Sequence, residues 1–270
     1  MQGYAAAYAR QAMAYIGQII GYKAQWEEDG KRYMEKRNPG GYMFSNADLR
    51  RLIFPLIVEQ ILAVSVGMVD TMMVSSVGEA ATSGVSLVDM VNTLFINIFA
   101  AVATGGAVVS SQYLGQKRQD RACQSADQLL IINGILSLAI MAVCIVFRRE
   151  FLSLLYRGVA EDVMRNARTY LVISAVSYPF LSVYNSCAAL FRSMGNSKVS
   201  MMTSFVMNMI NIIGNAICVF GLKMGVAGVA WPTLISRVTA AFMMFVLIQN
   251  RNNTIRLNSW KFLIPDRHMI

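Results

Sequence analysis

Two carboxylates inside one apolar run constrain this chain more than any other feature. The stretch Leu52–Val74, LIFPLIVEQILAVSVGMVDTMMV, is long enough to cross a bilayer, yet it contains Pro55, Glu59 and Asp70. A charged side chain at the centre of a membrane costs about 2.5–3.5 kcal/mol, so such residues usually face a partner or a water-filled cavity. Asp70 is therefore the first candidate functional residue.

The composition indicates a membrane protein. The chain has 270 residues, of which 56% are hydrophobic and 14% are charged, whereas a soluble domain is about a quarter charged. The net charge is +9, and the basic residues cluster in short segments between apolar runs. That pattern is typical of cytoplasmic loops that face anionic lipid. We therefore expect membrane lipid as a partner and no nucleic acid.

The sequence contains no enzyme signature. The four cysteines are widely spaced, without metal-site spacing, and the single histidine is His268, near the C-terminus. There is no nucleophile elbow, Walker A loop, zinc-protease motif or dinucleotide fingerprint. We expect no enzymatic activity, no cofactor and no ATP-driven transport by this chain alone.

Six apolar runs predict an all-α, polytopic membrane protein. Most basic residues lie in segments on one side of these runs, which predicts a plasma-membrane protein with both termini in the cytoplasm. Pro179, in the fourth run, is expected to bend its helix. The predicted spans are Leu52–Val74, a span within Met90–Gln116, Gln128–Phe147, Thr169–Phe191, Val199–Leu222 and Val226–Ile248.

The segments outside the runs define the predicted organisation. Residues 1–42 are rich in Tyr, Ala and charge and end in a Pro-Gly-Gly breaker. We expect them to form an N-terminal extension, either loosely ordered or a short helix on the membrane surface. Residues 43–255 form the predicted six-helix lobe. Residues 256–270 form a cytoplasmic tail, or the start of a linker to a second lobe.

A polar stripe follows the fifth run. Asn208, Asn211 and Asn215 lie at i, i+3 and i+7 on one helix face, and Ser204 extends that face. Amides in hydrocarbon need partners. One interpretation is hydrogen bonding between helices. The other is a site shared with Asp70, in which side-chain oxygens bind Na⁺ or prepare the carboxyl group to exchange a proton.

Two further charged residues lie within the runs. Glu59 is eleven residues before Asp70, nearly a whole number of helical turns, so the two carboxylates share a face and are expected to line one cavity. An interfacial anchor or a bond to a neighbouring helix is the alternative for Glu59. Arg237, in the sixth run, either lines the cavity, reaches toward the membrane surface or pairs with a carboxylate.

Four stretches along the predicted spans form a recognisable set. They are VDTMMVSSVG (Val69–Gly78), SSQYLGQ (Ser110–Gln116), ALFRSMGNSKVSM (Ala189–Met201) and NMINIIGNAICVFGLKMGVAGVAWPTLIS (Asn208–Ser236). In this order and on these spans they resemble the multidrug and toxic compound extrusion (MATE) family, and the resemblance covers about Phe44 to Asn250. It implies an antiporter with two six-helix lobes around a central cavity, in which Na⁺ or H⁺ entry drives export of small drug-like, often cationic, compounds.

The resemblance also implies roles for particular residues. Asp70 matches the cation-site carboxylate of the first helix, Asn211 and Asn215 match a fifth-helix pair, and Thr233 matches a sixth-helix threonine. With Na⁺ as the coupling ion, Asp70, Asn211 and Asn215 are its expected ligands. Some family members have Asp where this chain has Asn215, so this chain has one carboxylate fewer. The choice between Na⁺ and H⁺ as the coupling ion therefore stays open. Pro55 matches a proline proposed as a bending point.

The family chain has about twelve helices, and this sequence predicts six. We therefore expect one lobe that needs a second, supplied by a separate chain, a second copy or missing sequence. A flippase for lipid-linked oligosaccharides of the same superfamily is an alternative. Such a flippase needs a strongly basic cavity for a pyrophosphate. Arg237 is the only basic residue in a predicted span core, and this scarcity argues against the alternative. A non-transporting truncated fragment is another alternative.

Overall fold

The computed structural model describes residues 46–156, 158–250 and 253–257. The predicted extension, residues 1–42, lies outside the described residues, and so does the predicted tail from residue 258 onward. The chain divides into two units, Met1–Phe54 and Pro55–Ile270. Of the first unit, only the opening of the first helix is described. The packing reported below belongs to the second unit.

Helices make up almost all of the described chain, and these residues contain no strand, which confirms the predicted all-α class. A π-helical turn, Ile217–Gly221, continues the seventh helix. The helices are α1 (Asn46–Ser75), α2 (Glu79–Gly115), α3 (Gln119–Val146), α4 (Arg148–Leu155), α5 (Glu161–Val176), α6 (Tyr178–Ser193), α7 (Ser197–Ala216) and α8 (Ala227–Ile248).

Five helices are long and apolar enough to cross a membrane: α1 from Leu52, α2, α3, α7 with its π-helical turn, and α8. The pair α5 and α6 gives a sixth span when it is counted as one helix bent by 46°. The break falls at Ser177, two residues before Pro179. Proline is tolerated in the first turn of a helix because an N–H there has no partner within the helix.

The second span differs from its prediction. The span is predicted within Met90–Gln116, a run that contains no charged residue. In the structure α2 begins at Glu79 and continues for 37 residues. Asp89 therefore lies inside a membrane-spanning helix. The third span likewise begins earlier than predicted, at Gln119 instead of Gln128.

Two apolar clusters hold the second unit together. In the larger one, α2, α3, α6 and α8 meet around Tyr178, whose ring lies 5.6 Å from that of Phe95 and 5.9 Å from that of Phe99. The smaller cluster joins the end of α1 to α2, α5 and α8 through side chains that include Val74, Val88 and Val229. The candidate site lies beside this smaller cluster.

Candidate functional site

A directional chain of hydrogen bonds connects α1, α7 and α8. The Nδ2 group of Asn215 donates to Asp70 Oδ1 at 2.6 Å and to Asn211 Oδ1 at 3.2 Å. Asn211 Nδ2 donates to Thr233 Oγ1 at 3.0 Å, and that hydroxyl donates to the carbonyl of Val229 at 2.9 Å. The structure thus brings together the four residues predicted for cation coupling.

The direction of these hydrogen bonds determines what the site can bind. Both amide hydrogens of Asn215 and one of Asn211 point toward protein acceptors, and the shortest bond ends on a carboxylate, where charge strengthens it. Asn215 is fully buried. Its Oδ1 atom has no hydrogen-bond partner among the described residues. An unpaired buried acceptor is costly, so this oxygen is available to a cation or a donor that arrives beside Asp70.

Asp70 also borders a small cavity between α1, α2 and α5. Its volume is about 10 Å³, room for about one water molecule. Asn211, Asn215 and Thr233 are not among its lining residues. The cavity is lined by Asp70, Thr71, Val74, Thr82, Val85, Ser86, Asp89, Tyr170 and Val229.

Asp89 is a second carboxylate of this cavity, and the sequence reasoning missed it. Asn92 Nδ2 donates to Asp89 Oδ1 at 3.2 Å, and the buried Tyr170 lines the same cavity. Asp89 was overlooked because the predicted span was cut at its charge. Apolar residues on both sides, in GVSLVDMVNTLF, were the signal that the helix continues through it.

Arg237 supplies the positive charge of the site. Its Nη1 group donates to Ser177 Oγ at 2.6 Å, at the break between α5 and α6. The guanidinium also interacts electrostatically with Asp70 and Asp89. The structure thus places Arg237 within electrostatic range of both carboxylates, with Ser177 as its hydrogen-bond partner.

Glu59 lies in a different environment, which corrects the expectation that both carboxylates of α1 line one cavity. It accepts hydrogen bonds from Tyr184 at 3.2 Å and Ser200 at 2.8 Å, and Arg192 lies 3.7 Å from it. None of these residues lines the cavity beside Asp70. A shared helix face was not sufficient, because eleven residues separate the carboxylates by roughly 16 Å along the axis.

The polar stripe of α7 is divided between these two environments. Ser204 interacts with Tyr184, which bonds to Glu59, whereas Asn211 and Asn215 belong to the Asp70 chain. Asn208 is buried between them, and its Nδ2 group has no hydrogen-bond partner among the described residues. The stripe therefore combines helix packing with site formation.

The fold and the site together define a class of protein: a polytopic α-helical membrane protein with a charged, hydrogen-bonded site within its spans. The MatE family model matches residues 55–217, more than half of the chain. The chain therefore belongs to the MATE family of membrane transporters, as the resemblance predicted.

Individual relatives agree with this assignment. The protein named Uncharacterized transporter YisQ, from Bacillus subtilis (strain 168), is 32% identical over 220 residues, which are 80% of this chain and 47% of that protein. Multidrug export protein MepA from Staphylococcus aureus (strain NCTC 8325 / PS 47) is 23% identical over 218 residues, 80% and 48% of the respective chains. This chain thus spans about half the length of the curated relatives it matches.

Solved structures share the fold. A MOP superfamily transporter from Pyrococcus furiosus superimposes with a TM-score of 0.76 at 21% identity, over 82% of this chain and 49% of that one. A MATE structure in the bent conformation gives a TM-score of 0.75 at 18% identity, over 82% and 50% of the respective chains. The matched half corresponds in size to one lobe.

Proposed function

We propose that this chain is one lobe of a secondary antiporter that couples entry of Na⁺ or H⁺ to export of small drug-like, often cationic, organic compounds. The observation that carries the proposal is the hydrogen-bond chain from Asp70 through Asn215 and Asn211 to Thr233. A carboxylate at membrane depth with amide and hydroxyl partners is typical of ion pathways. The names of two relatives, Multidrug export protein MepA and Probable multidrug resistance protein YoeA, support drug-like substrates.

The proposed coupling step is a change of charge on Asp70. When Asp70 holds neither a cation nor a proton, the amide of Asn215 stabilises the negative charge of the carboxylate. Arrival of a cation or proton removes that charge and weakens the bond, because an ionised acceptor makes the stronger hydrogen bond. The amide groups are then free to turn, and Asn215 Oδ1 gains a partner. Loss of this attachment frees the part of α1 that follows Glu59, which keeps its own bonds to α6 and α7.

A second lobe completes the proposed transporter. This chain matches about half of its relatives, and a central cavity between two lobes needs the other half. A separate chain, a second copy or further sequence would supply it. The distribution of basic residues supports a plasma-membrane location with both termini in the cytoplasm.

The flippase alternative is weaker. A lipid-linked oligosaccharide carries a pyrophosphate, which requires free positive charge in the cavity. Arg237 is instead engaged with Ser177 and with the carboxylates of Asp70 and Asp89. The antiporter therefore remains the proposed function.

Dye efflux from cells that lack their own exporters tests the proposal. The chain is expressed with its second lobe, and efflux of a cationic dye is measured under imposed Na⁺ or proton gradients. Asp70→Asn should abolish gradient-dependent efflux. Asp162→Asn, an exposed carboxylate paired with Arg165, is the matched control and should retain it. Undiminished efflux by Asp70→Asn at equal expression would reject the coupling site.

A further inference from the structure

We propose that α4 is a binding surface for anionic phospholipid, in which Arg148 and Arg149 contact lipid phosphates while leucines at the end of the helix enter the hydrocarbon layer. The inference goes beyond the transport activity and does not depend on it. After a break of one residue, Phe147, α4 follows α3, which is long and apolar enough to cross a membrane. It therefore lies at the level where a membrane-spanning helix ends, close to the lipid headgroups.

One side of α4 is fixed to the rest of the protein. Leu152 is fully buried in the smaller apolar cluster, and Phe151 packs against the same cluster. Directly after the helix, the Tyr156 hydroxyl donates to the carbonyl of Leu87, in α2, at 2.8 Å. These contacts set the rotation of α4 about its own axis, so the protein itself determines which side chains of this helix stay exposed.

The exposed side of α4 combines apolar and basic residues. Leu154 is 68% exposed and Leu155 is 49% exposed, and Arg148 and Arg149 are exposed as well. Helices with this composition lie along a membrane surface, with the apolar side chains at the boundary between headgroups and acyl chains. Leu155 follows Arg148 by seven residues and shares its helix face. The stem of this arginine can therefore run along apolar surface while its guanidinium reaches the headgroups.

The two arginines of α4 carry free positive charge. Neither Arg148 nor Arg149 has an ion pair among the residues that the structure describes. A guanidinium binds a phosphate through two parallel hydrogen bonds, and a lipid leaflet offers phosphate and hydrocarbon within one surface. The arginines of α5 differ, because carboxylates of the same helix neutralise them. The pairs are Arg165 with Asp162 and Arg168 with Glu161, at 3.1 Å each.

The acidic residue of α4 leaves the positive charge in place. Glu150 is exposed, and it lies two residues after Arg148, which turns it by about 200° around the helix. Side chains two residues apart in a helix do not face each other. The face that carries Arg148 and Leu155 thus keeps its positive charge, whereas Glu150 weakens the attraction of the whole helix for anionic lipid.

The relative affinity for two lipids, measured at α4 itself, tests the inference. Leu154→Trp places a fluorescent reporter on the exposed side, in a full chain whose natural tryptophans are replaced by phenylalanine. The chain is reconstituted in phosphatidylcholine mixed with an equal amount of phosphatidylcholine or phosphatidylglycerol that has brominated acyl chains, which quench a tryptophan they contact. An arginine near an anionic surface strengthens binding about fivefold, so the reporter should favour phosphatidylglycerol by at least about fivefold. The natural tryptophans are Trp26, Trp231 and Trp260.

Charge variants in the reporter chain identify the groups responsible. The double variant Arg148→Gln and Arg149→Gln should lose the preference for phosphatidylglycerol. Its matched control, Arg148→Lys and Arg149→Lys, keeps both charges and should retain the preference. Glu150→Gln should increase it, which a damaged fold cannot do. A lower preference in Glu150→Gln, or an unchanged one in the double glutamine variant, would overturn the charge argument.

A second reporter position distinguishes a local surface from a general property of the protein. Ile235→Trp, at an exposed position in the middle of α8, should be quenched equally by the two brominated lipids. A preference for phosphatidylglycerol of the same size at both positions would overturn the assignment to α4. Equal quenching by the two lipids at Leu154→Trp would also overturn it, and so would the absence of quenching there, because the exposed side of α4 would then not contact lipid.

Discussion

The bond between Asn215 and Asp70 should be measurable as an energetic coupling. Asn215→Ala removes a 2.6 Å bond to the carboxylate and a 3.2 Å bond to Asn211. A hydrogen bond to a charged group contributes about 1.5–3 kcal/mol and a neutral one about 1 kcal/mol. We therefore expect Asn215→Ala to destabilise the chain by about 2–4 kcal/mol in the absence of a coupling ion.

A double-mutant cycle isolates the charged bond. In the background of Asp70→Asn, the amide of Asn215 meets a neutral partner, and interhelical bonds between neutral groups in membranes average only about 0.6 kcal/mol. Asn215→Ala should then cost less than it does with Asp70 intact. The expected coupling energy is about 1–2 kcal/mol.

The assay is reversible unfolding in mixed micelles of a mild detergent and dodecyl sulfate, followed by far-ultraviolet circular dichroism. The control pairs Asp70→Asn with Asn133→Ala. Asn133 is also a buried asparagine, but its amide bonds to Ser186 and to backbone carbonyls of other helices. That pair should be additive. Additivity within about 0.5 kcal/mol for the Asp70 and Asn215 pair as well would refute the reasoning, because residues without contact add to that precision.

Two further predictions concern packing and the second carboxylate cluster. A Cβ at Gly84 would lie 2.8 Å from the carbonyl oxygen of Val163, whereas one at Gly105, on the same helix, would meet nothing within 4 Å. Both alanine variants gain the same helix propensity, so the difference between them reports the steric clash at Gly84. Gly84→Ala should be less stable than Gly105→Ala by about 1–3 kcal/mol in the same unfolding assay. Equal stabilities would contradict the close approach of Val163 to Gly84. Glu59→Leu leaves two hydroxyl donors without their acceptor and should lower the free energy of unfolding by about 1–3 kcal/mol. Arg192→Met should lower it by less than about 1 kcal/mol, because that ion pair is partly exposed. The reverse order in thermal denaturation would contradict this ranking.

Helical periodicity and the family resemblance together predicted the amide side of the site. Asn211 and Asn215 share a face because they lie four residues apart, and each needed a polar partner in the membrane. Asp70 was a candidate because of its charge within a span, whereas Thr233 was predicted from the resemblance alone. The structure connects all four by hydrogen bonds of 2.6–3.2 Å.

The cavity side of the site could not be predicted in the same way. Asp89 lies outside the predicted second span because that run, Met90–Gln116, was delimited by its lack of charge, although charged residues were accepted within the first and sixth spans. Glu59 was included because it shares a face with Asp70, yet the neighbours of a helix face change along its length. At Asp70 the neighbour is Asn215, near the end of α7, whereas at Glu59 the neighbour is Ser200, near the start of α7. Only the tertiary arrangement supplies that difference.

Polar contacts contribute most of the attachment of α1 to the other helices. Only 11% of its most apolar window is buried within the described lobe, so apolar packing contributes little to holding it. Among its described side chains, Glu59 bonds to α6 and α7, and Asp70 bonds to α7. In the proposed mechanism an arriving ion acts on Asp70 and leaves the Glu59 contacts intact. The segment of α1 released by coupling is therefore the part that follows Glu59, while the part around Glu59 stays attached.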